Sequence, residues 1–307
     1  MCYTRCATTD MTSIQGAIVI MDNSTPSMEG RVTSLYPQLS RSHQKLARFV
    51  LDNRLFAAFA SAAALGERVG VSAATVVRFC RTIGYEGYPE FQVAVRDSLP
   101  TYLDKVQRLE RNLDTQDKDQ VATRVFDLDT QNLGRTSQSL DVGRFRAAVA
   151  AICRASNILV VGGGLSAGPA LYFAHSLKVM GLDAQAVLDG GIPLALELNR
   201  LKPTSVLIGI SVWRYVRETI TAMERAQSLG ATRIAITDSI VAPSAQRAEH
   251  AFQVATDGVA HSLSLTSMMA LINAFVAAVS FERPEETARA VREVDAAYRQ
   301  GNLLFTE

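Results

Sequence analysis

The chain runs to 307 residues with a formal net charge of +1 and an ordinary globular composition, which leaves room for about two domains and excludes a binder that is basic throughout. The four cysteines, Cys2, Cys6, Cys80 and Cys153, lack zinc or redox spacing and fit a reducing, cytoplasmic setting. No segment reaches the ~18 consecutive apolar residues of a membrane span, so no membrane partner is expected.

Residues 1–34 are polar and unpatterned. Their one short apolar run, 17–21, follows Asp10 and has no basic flank or small-residue cleavage site, so it is not a signal peptide. The segment reads as a flexible extension, or as the product of a start upstream of Met28.

Residues 35–100 predict helices joined by short turns. In "SAAALGERVGVSAATVVRFCRTIGYEGYPEF", Ser61 and Ser72 are each placed to cap a helix, and Gly70 can take the positive φ of a helix end. That order is a helix-turn-helix. In the second helix Val76, Phe79, Cys80 and Ile83 recur at inward spacing. Ala74, Arg78 and Arg81 fall on the other side, flanked by Thr75 and Thr82. A small N-terminal end lets a helix enter the major groove, where arginine grips guanine or phosphate. A bundle with a solvated arginine face fits the same pattern. The candidate DNA contacts are Ser72, Ala74, Thr75, Arg78 and Arg81.

Residues 101–140 read as a connector, a charged helical stretch followed by the polar run "DLDTQNLGRTSQSLD" as linker. From 141 to 281 short β-branched runs alternate with helical segments, the mark of a parallel sheet with crossover helices. Strands are expected at 158–161, 184–188, 206–211, 233–237 and 251–254. Helices are expected at 166–180, 192–199, 216–229, 243–248 and 262–279. A last helix, 285–299, belongs to a C-terminal segment of 282–307. The fold class is therefore an all-α helix-turn-helix domain followed by an α/β domain with a five-stranded parallel sheet flanked by helices.

"ILVVGGGLSAG" is strand, glycine loop and helix start. Gly162 and Gly164 permit close backbone approach to a ligand, and Ser166 sits where free N–H groups attract anions. Ser166, Ser211 and Thr237 fall at three strand ends, the edge where open α/β sheets bind ligands. Three readings stay open: a dinucleotide site with Asp189 on a ribose, a sugar-phosphate site, and a structural glycine turn.

"GVSAATVVRFCRTIGYEGYPEFQVAV" closely resembles the N-terminal domain of RpiR-type bacterial transcriptional regulators, a likeness that runs back through "SRSHQKLARFVLDN". That resemblance implies Ser72, Thr75 and Arg78 near DNA, with Phe79, Gly84, Tyr85 and Phe91 structural. Gly162-x-Gly164-x-Ser166 and "GATRIAITDSIVAPSAQRAEHAF" resemble the sugar isomerase (SIS) domain found in the same regulators, and together the likeness covers residues 35–280. It implies a double-stranded operator, a small anionic sugar-like effector and a homodimer or homotetramer, with the α/β domain a sensor.

One stretch departs from the pattern. SIS domains usually carry Ser-x-Ser-Gly-x-Thr after the third strand, and here Ser211, Val212, Trp213, Arg214, Tyr215 and Val216 align with it. Arg214 offers a bidentate grip on phosphate or carboxylate, and Trp213 a face for a sugar ring. Trp213 packed at an interface and Arg214 paired to a surface carboxylate are the alternatives. The candidate effector contacts are Gly162, Gly164, Ser166, Ser211, Trp213, Arg214 and Thr237.

No cofactor is expected. The possible general bases, His175, His250, His261, Glu197 and Glu218, share no argued spacing, so no catalysis is expected. Two rivals remain: a regulator responding to NAD(H), and a SIS isomerase with an accessory DNA-binding domain.

Overall fold

A computed structural model describes residues 27–99, 118–303 and 305. The expectations for residues 1–26, including Cys2 and Cys6, for residue 100 and for the connector residues 101–117 lie outside the described residues.

The N-terminal domain is helical: α1 (Met28–Leu35), α2 (Arg41–Asp52), α3 (Arg54–Phe59), α4 (Ala62–Val69), α5 (Ala73–Thr82) and α6 (Tyr88–Asp97). Helix α1 corrects the expectation that order begins after residue 34. Ser27 caps it by accepting from the Gly30 N–H at 3.1 Å, and Met28 and Val32 are buried in the domain core. Arg31 donates to the Gly84 carbonyl at 2.8 Å and lies over the Tyr85 ring. Two apolar positions one turn apart are too short a pattern to show in sequence.

Ser61 and Ser72 cap α4 and α5 by accepting from Ala64 N–H and Thr75 N–H, and Gly70 ends α4 at φ 78°. Val76, Phe79, Cys80 and Ile83 are fully buried with Leu46, Leu65 and Phe91. Burial pushes the Cys80 thiol up to about 12, leaving it a packing group. Gly66 is a feature that periodicity missed. A Cβ there would sit 2.6 Å from the Val71 carbonyl oxygen, so the close crossing of α4 and α5 requires glycine.

The second domain opens with α7 (Val121–Ser139) and α8 (Val142–Arg154) and continues through β1 (Ile158–Val161), α9 (Ala167–Val179), β2 (Ala184–Val187), α10 (Gly191–Leu198), β3 (Val206–Ile210), α11 (Arg217–Ser228), β4 (Thr232–Thr237) and β5 (His250–Gln253). Helices α12 (Thr266–Glu282) and α13 (Pro284–Gln300) follow. The five strands are parallel in the order β2-β1-β3-β4-β5. Every residue of β1 and β3 is buried, as a sheet covered on both faces demands. Alternate residues sort to two cores. Ile158 and Val160 join Val149, Phe173 and Phe275 beneath α8, α9 and α12. Leu159 and Val161 join Leu194 and Met223 beneath α10 and α11.

Two expectations are corrected. The polar run at 127–141 is not a loose linker, because nearly all of it is the second half of α7. Asp129 accepts from Ser264 at 2.5 Å and Thr266 at 2.7 Å, Thr136 Oγ1 accepts from the Ala255 N–H at 2.9 Å, and buried Asn132 donates to the Asp257 carbonyl at 2.8 Å. Asp129, Asn132 and Thr136 thus tie this half of the helix to the segments around 255–266, while most of its other polar side chains stay exposed. The helix expected at 243–248 is one 3₁₀ turn, Ala245–Arg247, since the chain must enter β5 at His250.

Candidate functional site

The exposed side of α5 carries a local relay. Ser72 Oγ and Thr75 Oγ1 are 2.9 Å apart, and Arg78 Nη2 donates to Thr75 Oγ1 at 2.9 Å. Ser72, Ala74 and Arg78 are exposed and Thr75 is half-buried, so these four share one accessible surface. Arg81, also exposed, is turned aside: its Nε donates to the Glu86 carbonyl at 3.3 Å beyond the helix end. His43 packs edge-on against Phe79, and burial and then Arg78 hold it below the usual histidine range. A basic cleft between α2 and the end of α4 is lined by Arg41, Lys45, Arg48 and Arg68 with one carboxylate, Asp52.

In the α/β domain the glycine loop and the strand-end hydroxyls are mostly covered. Gly162 is buried against Ser166, whose carbonyl oxygen would lie 2.8 Å from a Cβ at 162. Gly164 is exposed at φ 59°. Ser166, Ser211 and Thr237 are buried, and Ser211 Oγ has no hydrogen-bond partner. The crevice between β1 and β3, where the strand order reverses, is narrowed by Val216, whose Cγ1 would lie 3.5 Å from a Cβ on Gly163. Glu218 lies against Gly190, and Asp189 is exposed beyond β2.

Trp213 and Arg214 instead face the N-terminal domain, and their organiser is a residue the sequence did not single out. Asp238, one residue past β4, accepts the Trp213 N–H at 3.0 Å on Oδ2 and the Tyr215 hydroxyl at 2.9 Å on Oδ1. Thr237 donates to the same Oδ1 at 3.3 Å. Burial raises the Asp238 carboxyl above its ordinary range, against the lowering pull of those bonds. Burial, then the Asp238 charge, raises the Tyr215 phenol, which stays a neutral donor. A polar residue at a strand end was the available signal, but "ITDS" alone does not say which donors converge on it.

Tyr215 then crosses to the other domain. Its ring meets Phe59 edge-to-face, centroids 5.0 Å apart, and Gln246 Nε2 donates to the Phe59 carbonyl at 2.6 Å. Arg214 holds φ 67°, with its guanidinium 5.2 Å from the Trp213 ring centroid. Two clefts flank this contact. One, about 640 Å³, includes Arg54, Arg135, Trp213 and Asp238; the other, about 630 Å³, includes Phe59, Arg96, Trp213, Arg214, Tyr215 and Arg217. Gly162, Gly164, Ser166, Ser211 and Thr237 line neither, so the seven candidate effector residues divide into two groups.

The candidate bases are scattered. His175 is exposed on α9, His250 lies within β5, His261 is exposed in the loop before α12, and Glu197 pairs with Arg200.

The helix-turn-helix domain of the rpiR family matches residues 27–101, and the SIS domain matches residues 151–278. An HTH-type transcriptional regulator of Haemophilus influenzae is 27% identical over 225 residues, covering 72% of this chain and 77% of that protein. The sugar isomerase domain of an RpiR transcription factor from Sphaerobacter thermophilus is 40% identical, with a TM-score of 0.57, over 58% of this chain and 99% of that one. The Vibrio vulnificus NanR protein complexed with ManNAc-6P shares the fold at a TM-score of 0.64 and 21% identity, over 91% of this chain and all of that one (100%).

Proposed function

The chain belongs to the RpiR family of helix-turn-helix transcriptional regulators with a SIS domain, and from that premise we propose that it senses a small anionic sugar, a sugar phosphate or sugar acid, and adjusts its grip on operator DNA in response. The observation that carries this reading is the loop after β3. It runs from the end of the sensor sheet, through the Asp238 clamp, onto Phe59 of the DNA-binding domain. A ligand that moves Trp213 or Tyr215 must therefore strain or relieve a contact with the other domain, and only such a differential contact can switch binding.

Helix α5 enters the major groove, with Ser72, Ala74, Thr75 and Arg78 on its exposed surface and Arg81 at its far end. The cleft of Arg41, Lys45, Arg48 and Arg68 supplies phosphate contacts. Two such helices from a homodimer or homotetramer read a roughly palindromic site in the cytoplasm. The α/β domain acts as a sensor and not as an isomerase, in keeping with its scattered histidines. ManNAc-6P on the NanR protein supports a phosphorylated sugar as the ligand class.

The test is fluorescence anisotropy on a labelled duplex selected by this protein from random sequence, titrated with and without sugar phosphates and sugar acids. At least one compound should change the apparent affinity several-fold. Constant affinity across the whole panel would reject the sensor reading.

A further inference from the structure

The cleft between the two domains is lined by three arginines and one carboxylate. Arg96 reaches it from α6 of the DNA-binding domain, and Arg214 and Arg217 from the sensor loop and the start of α11, against one carboxylate, Asp97. Arg96 donates Nη1 to the Ala58 carbonyl at 3.1 Å, which sets its stem, and a guanidinium has five N–H donors in all. Arg217 is exposed at the first position of a 12-residue helix, whose positive end adds to the field. Arg214 sits over the Trp213 face, so a planar cation and an aromatic ring bound the same space.

The backbone of Arg214 is a separate pointer. At φ 67° a residue with a side chain costs about 1 kcal/mol that glycine would not, and strain of this kind gathers at ligand clamps. The cleft volume, about 630 Å³, suits a small organic molecule.

We propose that this interdomain cleft binds the anionic group of a sugar between Arg96, Arg214 and Arg217, with the sugar ring against Trp213. The inference rests on the anionic-sugar reading above and adds where the charge is held. Because Arg96 belongs to the DNA-binding domain, the ligand itself bridges the two domains, and its binding energy acts directly on their arrangement.

Trp213 is the chain's single tryptophan and lines both clefts that flank the contact, so its fluorescence reports on this loop, and the Arg96 and Arg217 variants assign the signal to this cleft. The chain is titrated with glucose 6-phosphate, gluconate and uncharged glucose, and calorimetry on the same samples detects binding anywhere. A saturable Trp213 change with at least one anion and none with glucose is expected. Arg96→Gln and Arg217→Gln should each weaken that binding about tenfold or more, the loss of a charge-assisted contact. Arg214→Gly should weaken it similarly while melting no lower than the parent, because the positive φ is then relieved. Calorimetric binding that is silent at Trp213, or that survives both glutamine variants, overturns the interdomain site and leaves the sensor reading standing; a fall in Ser211→Ala would then put the anion at the sheet edge. No binding of either anion by either method counts against the interdomain site, and the sensor reading then stands or falls on the wider panel above.

Discussion

Helix α5 and the loop after β3 are both candidate working surfaces, yet they are built by opposite means. In α5 the relay Ser72–Thr75–Arg78 joins residues three apart, and one turn of helix is enough to assemble it. In the loop, Trp213 and Tyr215 are held by Asp238, 25 and 23 residues away, and Phe59 comes from another domain. A surface made by helical periodicity can be read directly from a string. A surface made by neighbouring strand ends exists only after the sheet has formed.

The comparison is broken most readily at α5. Arg78→Ala should reduce affinity for a selected operator by about 1–3 kcal/mol, roughly fivefold to 150-fold, with effector binding untouched. Unchanged operator affinity at low salt would remove α5 from the groove. Gly66→Ala tests the close crossing that periodicity missed. Its Cβ meets backbone, which cannot move aside cheaply, so a loss of about 1–3 kcal/mol in the N-terminal domain is expected by chemical denaturation.

The loop yields smaller, more diagnostic effects. Tyr215→Phe keeps the ring on Phe59 but deprives a half-buried carboxylate of one donor, an expected loss of about 1–2 kcal/mol in thermal or urea melts. An unaffected melt would mean that water supplies the missing bond. The smallest effect is on pH dependence. Burial raises Asp238 in the folded chain, so the fold takes that proton before the unfolded chain does. Its contribution therefore favours folding in acid and is withdrawn as the pH rises through the raised value. Asp238→Asn should flatten that part of the profile of melting temperature against pH. It should also weaken the clamp, because both carboxylate oxygens accept and an amide offers one acceptor.

Much of the architecture was legible. Strand β1 falls at 158–161 as expected, and β2 to β5 lie within a residue or so of their expected spans, because buried parallel strands are short continuous apolar runs between breakers. Ser61, Gly70 and Ser72 take the cap and turn positions that their side chains favour. The failures have a common cause. The 127–141 run resembled a linker because it is polar, yet its Asp129, Asn132 and Thr136 bind backbone and hydroxyls more than a hundred residues away. Helix α1 was missed because its buried side chains cover only two positions.

Local chemistry alone determined the two-domain order, the helix-turn-helix, the parallel sheet and the exposed arginine of α5, since each depends on spacing within one element. Tertiary structure alone decided which of the candidate effector residues face a cleft, and that Asp238 organises Trp213 and Tyr215. It also decided that the altered loop meets the DNA-binding domain. The physical reason is register. Residues 23 apart in the chain become hydrogen-bonding neighbours only because parallel β3 and β4 lie side by side and deliver their ends to the same edge.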